Sequence, residues 1–319
     1  MVARRTVLLA AAVLPRMTLA QEFPDRPIQG IVPFAPGASA DGVARLLATD
    51  LGPRLGQAIV VDNKAGAGGS PGLSLLARAT PDGHIIGIGA TGAVAINPHT
   101  PEATPLKPLQ QLAPVAKIAD IPLVLVASHR SGLTSLTEVI ARSKSAEEGL
   151  SYGTTGTNSA QHLAVELLRN ATGARLVHVS YRGSAPAVTD VLAGTLPLAS
   201  VDLASALPHA QAGTLTAIAV TSPARTPLAP MIPTVAEAGI AGHAATAWLG
   251  IFVPAGMPEP ILHRLSTEIG GVVGSPGARE RIMALSAGPA FLPAADFARF
   301  LQAESAKWEG VIASLRPGR

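Results

Sequence analysis

Short apolar runs alternate with segments of helical spacing along most of this 319-residue chain. Pro27-Ile28-Gln29-Gly30-Ile31-Val32-Pro33 reads as a strand, and a helix follows from about Asp41 to Leu51. Ala58 to Val61 is a second strand. A glycine-rich turn then leads into a helix from about Leu73 to Ala79, and His84-Ile85-Ile86-Gly87-Ile88-Gly89 is a third strand. A second block repeats the plan. Its strands are Pro122 to Val126, Leu150 to Gly153, Leu176 to Val179, Leu198 to Val201 and Thr216 to Val220. Its helices run over Ser135 to Ser143, Ala160 to Asn170 and about Ala187 to Leu192. Ala247 to Val253 returns to strand, and three proline-started helices close the chain at about Pro258 to Val273, Pro276 to Leu285 and Pro293 to Leu315. Alternation of this kind predicts βαβ units, parallel sheets and right-handed crossovers, hence an α/β fold.

The first twenty residues change the reading of charge. Arg4 and Arg5 precede the apolar run Thr6 to Leu14, and Thr18-Leu19-Ala20 places small residues where a signal peptidase cleaves, so 1–20 is expected to be an export signal. The run is shorter than the roughly 20 apolar residues a membrane span needs. The twin arginines leave the export route open. Three of the 24 basic residues lie in this segment and no acidic residue does, so the remainder carries 21 of each sign. The pI of 9.6 thus comes from the leader. A mature chain without cationic excess and with few aromatics does not suit nucleic acid. With no cysteine, disulfides, thiolate catalysis and cysteine-based metal sites are excluded.

Two motifs resemble catalytic signatures and fail on chemistry. Gly68-Gly69-Ser70-Pro71-Gly72 matches the nucleophile elbow of hydrolases, whose oxyanion hole needs the N–H after the serine; Pro71 has none. The segment reads as a tight turn entering a helix. Gly87-Ile88-Gly89-Ala90-Thr91-Gly92 has dinucleotide-site spacing, but Asn97-Pro98, Pro101, Pro105 and Pro108 follow where a crossover helix would have to start. The eight histidines are scattered, with no metal-binding spacing. His84, His178 and His209 read as surface or structural. His162, in the first turn of a helix, reads as helping to hold the loop before it.

Two loops remain, residues 36–41 and 155–159, each small, polar and glycine-bearing, each between the end of a strand and the start of a helix. Free N–H groups and the positive dipole end suit such places to anions, and open α/β sheets bind ligands at the carboxyl ends of their strands. The simpler role for Ser39, Asp41 or Ser159 is helix capping. Two loops in matching positions argue for binding, and the strand–loop–helix–strand echo suggests a duplication.

Further residues carry a family resemblance. Ile31-Val32-Pro33-Phe34-Ala35-Pro36-Gly37-Ala38-Ser39-Ala40-Asp41-Gly42, then Val61-Asp62-Asn63-Lys64-Ala65-Gly66-Ala67-Gly68-Gly69 and Ala95-Ile96-Asn97-Pro98 stand in order. Gln161-His162-Leu163-Ala164, Val179-Ser180-Tyr181-Arg182-Gly183-Ser184 and Pro233-Thr234-Val235-Ala236-Glu237-Ala238-Gly239 follow. The ordered set resembles the Bug family, the substrate-binding proteins of tripartite tricarboxylate transporters. The resemblance implies a two-lobed periplasmic-binding-protein fold of type II character in which the chain crosses the hinge twice. Lobe one would be 21–122 with 223–319, and lobe two 123–222. It also implies a periplasmic receptor that is not an enzyme.

 A monomer with no cofactor, no metal and no catalytic residue is expected. Its partners would be a small carboxylate and either the membrane subunits of the transporter or a membrane sensor.

Carried over by position, the resemblance points to Ala38, Ser39 and Asp41 in lobe one, with Thr91 and Ala95 nearby. In lobe two it points to Thr155, Gly156, Thr157, Asn158 and Ser159, with Tyr181, Arg182 and Asp202 shaping the far side of the cleft. The family usually has glycine where Ala38 stands, a hydroxyl residue at Ala40, an aromatic at Val201 and asparagine at Leu203. The last two changes imply a bulkier or less polar ligand body. The rival class is an exported hydrolase or transferase on the same scaffold, in which His162 would serve Thr157 or Ser159 as base.

Overall fold

The computed structural model describes residues 23–34, 36, 39–66, 69–100 and 105–315. The expected export segment 1–20 lies outside these, as do Gly37 and Ala38 of the first loop and Gly68 of the glycine-rich turn.

The strands are β1 (Ile28–Val32), β2 (Ile59–Asn63), β3 (Ile85–Ala90), β4 (Leu112–Ile121), β5 (Leu123–Ala127), β6 (Leu150–Thr154), β7 (Leu176–Ser180), β8 (Leu198–Asp202), β9 (Thr216–Val220), β10 (Ala247–Pro254) and β11 (Gly288–Pro293). The helices are α1 (Ser39–Leu55), α2 (Ser70–Ala77), the single turn α3 (Pro108–Gln111), α4 (Leu136–Ser145), α5 (Ala160–Thr172), α6 (Ser184–Ala193), α7 (Leu203–Gln211), α8 (Glu259–Gly274), α9 (Pro276–Ala284) and α10 (Ala294–Ser314).

Two sheets make two lobes. The first has the order β11-β4-β10-β3-β1-β2 and the second β7-β6-β8-β5-β9. The βαβ units pair in parallel as expected, β1 with β2 and β3, and β6 with β7 and β8. The expectation of parallel sheets throughout does not hold. β10 is antiparallel to both β3 and β4, β11 to β4, and β5 to both β8 and β9. β5 and β10 each follow a passage between the sheets with no crossover helix to restore the direction, whereas β11 follows α8 and α9 and runs in the direction of β10.

One face of the first sheet packs Val43, Leu47 and Leu51 of α1 with Leu265 and Ile269 of α8 against Ile28, Ile86 and Ile118. The other face buries Trp248, Phe252, Phe297 and Trp308 with Leu73 and Leu76 of α2. In the second lobe Val139 of α4 and Leu168 of α5 cover one face, and Val188 of α6 and Ala206 of α7 cover the other.

Pro122, where the first hinge crossing is expected, stands between β4 and β5 and therefore between the two sheets. The return does not lie near Ser222. Ala229 and Ile232 join one core of the second lobe, and Val235, Ala238 and Ile240 join the other. Thr234 forms a parallel bridge with Val220. The apolar positions after Ser222 need cover that only the second sheet supplies, so the chain leaves that lobe between Ile240 and Ala247. There the Thr221 hydroxyl donates to the Ala245 carbonyl at 2.6 Å.

Candidate ligand-binding site

The first loop rises from β1 and opens α1. Asp41, in the first turn, is buried, yet its carboxylate is occupied by protein. Asn63 Nδ2, at the end of β2, donates to Oδ1 at 2.8 Å and to the Phe34 carbonyl at 3.0 Å. Arg45 Nε donates to Oδ2 at 3.0 Å, and its Nη2 reaches Asn63 Oδ1 at 3.1 Å. Asp41, through this hydrogen bond and then its charge, raises the Arg45 pKa. The aspartate therefore ties the loop and the helix start to the end of β2. Ser39 opens α1 and is half-buried.

The second loop rises from β6 and opens α5. Ser159 caps the helix: its Oγ accepts from the His162 N–H at 3.2 Å and donates to the Gly156 carbonyl at 2.7 Å. The N–H groups of Ala160 and Gln161 belong to the first turn, where an α-helix supplies no internal acceptor. Gly156 has φ +146°, a conformation that side chains disfavour, and Asn158 is left-handed at φ 58°. The Thr155 hydroxyl donates to Gln161 Oε1 at 2.8 Å, Gln161 Nε2 donates to Asp202 Oδ1 at 2.6 Å, and the Ser184 hydroxyl donates to Asp202 Oδ2 at 3.2 Å. Burial raises the Asp202 pKa, opposed by these two bonds. Asp202 and Thr155 thus form a closed side-chain chain beneath the loop. Thr157 is exposed at the loop's tip.

Tyr181 follows β7; its N–H donates to the Thr154 carbonyl at 3.0 Å and its hydroxyl to Asp190 Oδ2 at 2.7 Å. Burial first, then the Asp190 bond, pushes its pKa up to about 12. Arg182, next along, is exposed. Val201 and Leu203 are buried in the second lobe's own core with Val124 and Val188. Their departure from the family pattern is taken up by that packing, and the inference of a bulkier ligand drawn from them loses its basis.

The lobes meet through α5. Val165 and Leu168 face the second sheet, while Ala160, Leu163 and Ala164 share a cluster with Ile31, Ala93, Ala95 and Trp248 of the first lobe. Thr91 and Ala95 are buried there: Thr91 Oγ1 accepts the Trp248 N–H at 2.8 Å, and Ala95 lies in a π-helical turn, Gly92–Ile96. His243 Nε2, in the returning crossing, lies 2.9 Å from the Ala164 carbonyl. Gly69, at the start of α2, is packed against Ala93 and Pro33. The structure thus brings the start of α5, the turn after β3 and the base of the first loop together.

Neither catalytic-looking motif acquires the required geometry. Ser70 is buried as the first residue of α2, and β3 is followed by the π-helical turn and the 3₁₀ turn Asn97–His99. His162 turns Nδ1 toward the Asn158 N–H at 3.1 Å, while Ser159 Oγ is spent on Gly156, so these two do not form a nucleophile–base pair. Among the described residues no group of His, Asp and Glu is placed to hold a metal, and no helix is long and apolar enough to cross a membrane. Sequence patterns missed His178: its Nε2 lies 2.6 Å from Thr154 Oγ1 and its ring stacks on His162 at 4.0 Å. Its only signal was a polar residue at an inward position of an apolar strand.

The model of the tripartite tricarboxylate transporter family receptor matches residues 43–316. Protein BugT of Bordetella pertussis is 34% identical over 96% of this chain and 94% of its own length. Rpa4515 of R. palustris, solved with adipate, superposes with TM-score 0.81 and 32% identity over 92% of this chain and 98% of its own. MatC of Rhodopseudomonas palustris, solved with bound malate, superposes with TM-score 0.76 and 29% identity over 91% of this chain and all of its own, 100%.

Proposed function

The chain belongs to the tripartite tricarboxylate transporter receptor family, and from that membership we propose that it captures a small carboxylate between its lobes in the periplasm. The captured ligand is delivered to the membrane subunits of such a transporter, and the receptor acts as a monomer without catalysis. The observation that carries this reading is the convergence of α5's first turn, the Gly92–Ile96 turn and the base of the first loop in one interlobe cluster. Two helix N-termini then face the ligand, and their N–H groups suit a carboxylate.

The ligand contacts are the backbone of residues 155–159 and the hydroxyls of Ser39 and Thr157. Asp41, Thr91, Ala95, Thr155, Tyr181 and Asp202 support these loops through the bonds and packing described above. Arg182 supplies a cation for a second carboxylate, and the ligand class is accordingly a dicarboxylate. Adipate and malate, held by the similar proteins, are both of that class.

A thermal-shift screen of mono-, di- and tricarboxylates tests the reading. A ligand at a hundredfold excess over Kd stabilises the fold by about 2.7 kcal/mol. If neutral solutes raise the melting point and no carboxylate does, the proposal fails.

A further inference from the structure

Beneath the second loop lies a buried cluster that ligand capture as described does not use. His162 and His178 stack at 4.0 Å. His162 Nδ1 accepts the Asn158 N–H at 3.1 Å, and His178 Nε2 meets Thr154 Oγ1 at 2.6 Å. The same hydroxyl lies 3.1 Å from the Gly156 carbonyl and 3.3 Å from the Gly156 N–H, so His178 is tied through it to the start of the loop. The pair therefore holds both ends of the 154–158 segment. Asn158 needs such a hold, since left-handed backbone persists where its surroundings impose it.

The groups packed around the pair fix its protonation. Burial first, then His178 and Arg169, hold the His162 pKa down to about 4 against the opposing pull of Glu166. Burial likewise lowers that of His178. With Nδ1 accepting, neutral His162 carries its proton on Nε2, 3.6 Å from Glu166 Oε1. Glu166 is held in place by the Tyr152 hydroxyl at 2.8 Å and by Arg169 Nη1 at 2.6 and 2.8 Å.

We propose that the His162–His178 pair is a positioning device for the ligand loop: neutral His162 fixes the Asn158 backbone through Nδ1, and the affinity for ligand depends on that acceptor. A proton on Nδ1 would face the Asn158 N–H donor-to-donor and release the loop. The pair touches the loop's backbone and acts on ligand only through it. This inference rests on the proposed binding function, and the test separates the two.

The test compares His162→Asn, His162→Gln and His162→Ala in the full chain. The Oδ1 of asparagine can stand where Nδ1 stands, whereas glutamine places its amide at the distance of Nε2. All three lose the ring stack, so their melting points fall. Titration with malate and with adipate is expected to show Kd raised about tenfold in the Gln and Ala variants and restored to within about threefold of the parent in the Asn variant. The parent's Kd rises as pH falls toward 4 more steeply than that of the Asn variant, which shares the ligand's own titration but lacks the imidazole. Amide hydrogen exchange at Asn158 in ligand-free protein is faster in the Gln variant than in the Asn variant. Equal Kd values and equal Asn158 exchange in the Asn and Gln variants would overturn the proposal. If neither acid binds the parent protein, the cargo reading fails, and the exchange comparison still decides the role of His162.

Discussion

Replacing Asp41 by alanine separates two roles that predict opposite signs. A carboxylate facing an anionic ligand repels it, so its removal tightens binding. A carboxylate that holds the first loop loosens binding when removed. The structure favours the second, since Asn63 and Arg45 occupy both oxygens of a buried side chain. The Asn63 bond, at 2.8 Å to a charged acceptor, is worth about 1.5–3 kcal/mol. The Arg45 pair adds little, because the arginine side chain is half exposed. The expected loss is about 3 kcal/mol, or roughly 5 °C in melting temperature for a chain of this size. Part of it falls on binding, because the freed loop must be reordered by the ligand; Kd then rises by about tenfold or more. Calorimetric titration with malate and a melting curve read both quantities. Asn63→Ala should reproduce the phenotype, and the double variant should cost less than the two singles together. Tighter binding by Asp41→Ala, or additive losses in the double variant, refutes the reasoning.

Four other perturbations probe the same architecture. Arg182→Ala should weaken a dicarboxylate about fivefold to tenfold in low salt and leave a monocarboxylate unchanged, as titration at two ionic strengths would show. Gly156→Ala meets only the Tyr181 carbonyl, at 3.9 Å, so it costs conformation and not space. About 1–3 kcal/mol of backbone strain should appear as weaker binding with a modest drop in melting temperature. Gly250→Ala would place Cβ 2.2 Å from Phe297 Cζ and should destabilise the first lobe by about 1–3 kcal/mol or more without changing the ligand's relative affinities. Stability should also fall as pH drops from about 6.5 toward 4. His162, His178 and His243 have folded pKa values below their unfolded ones, so the unfolded chain takes up more protons in that window. His162 alone contributes on the order of 3 kcal/mol, and His162→Asn should flatten that part of the pH–melting curve.

Much of the fold is legible in apolar runs, and the missed elements share one cause. β4 reads Leu112-Ala113-Pro114-Val115-Ala116-Lys117-Ile118-Ala119-Asp120-Ile121, broken by a proline and two charges. Its charges pair with each other, Lys117 Nζ to Asp120 Oδ1 at 2.6 Å, and Pro114 lies beside a register shift against β10 and past the end of the β11 pairing. β11 carries Pro289 and Pro293 and is an edge strand, where a missing N–H costs least. α7 holds Pro208 near its end. In each case tertiary neighbours supply what the local pattern lacks. The hinge return was misplaced for a related reason: Ala229, Ile232 and Val235 have no helical or strand period, and only the second sheet shows what they cover.

The site divides along a similar line. Glycine, small polar residues and a following helix mark the two loops, because the proposed grip is by the backbone and its requirements are local. The side chains around the loops are different, since each has one partner far away in sequence. Asp41 reads as a ligand contact and is anchored to Asn63; Thr155 and Asp202 are joined through Gln161; His178 reads as structural and grips Thr154, the strand residue from which the loop leaves. An exposed polar residue and a tethered one have the same letter. A receptor whose ligand is gripped by main-chain donors needs those donors held still, and the polar side chains near them are spent on that task. Selectivity is then left to the few groups that remain untied at the rim. Arg182 is the exposed cation among the predicted site residues, and a screen of diacids of increasing length against Arg182→Ala reads directly how far from the loops it reaches. Loss of discrimination at a single chain length places its guanidinium at that distance, and equal loss at every length would mean that it acts only as a diffuse charge.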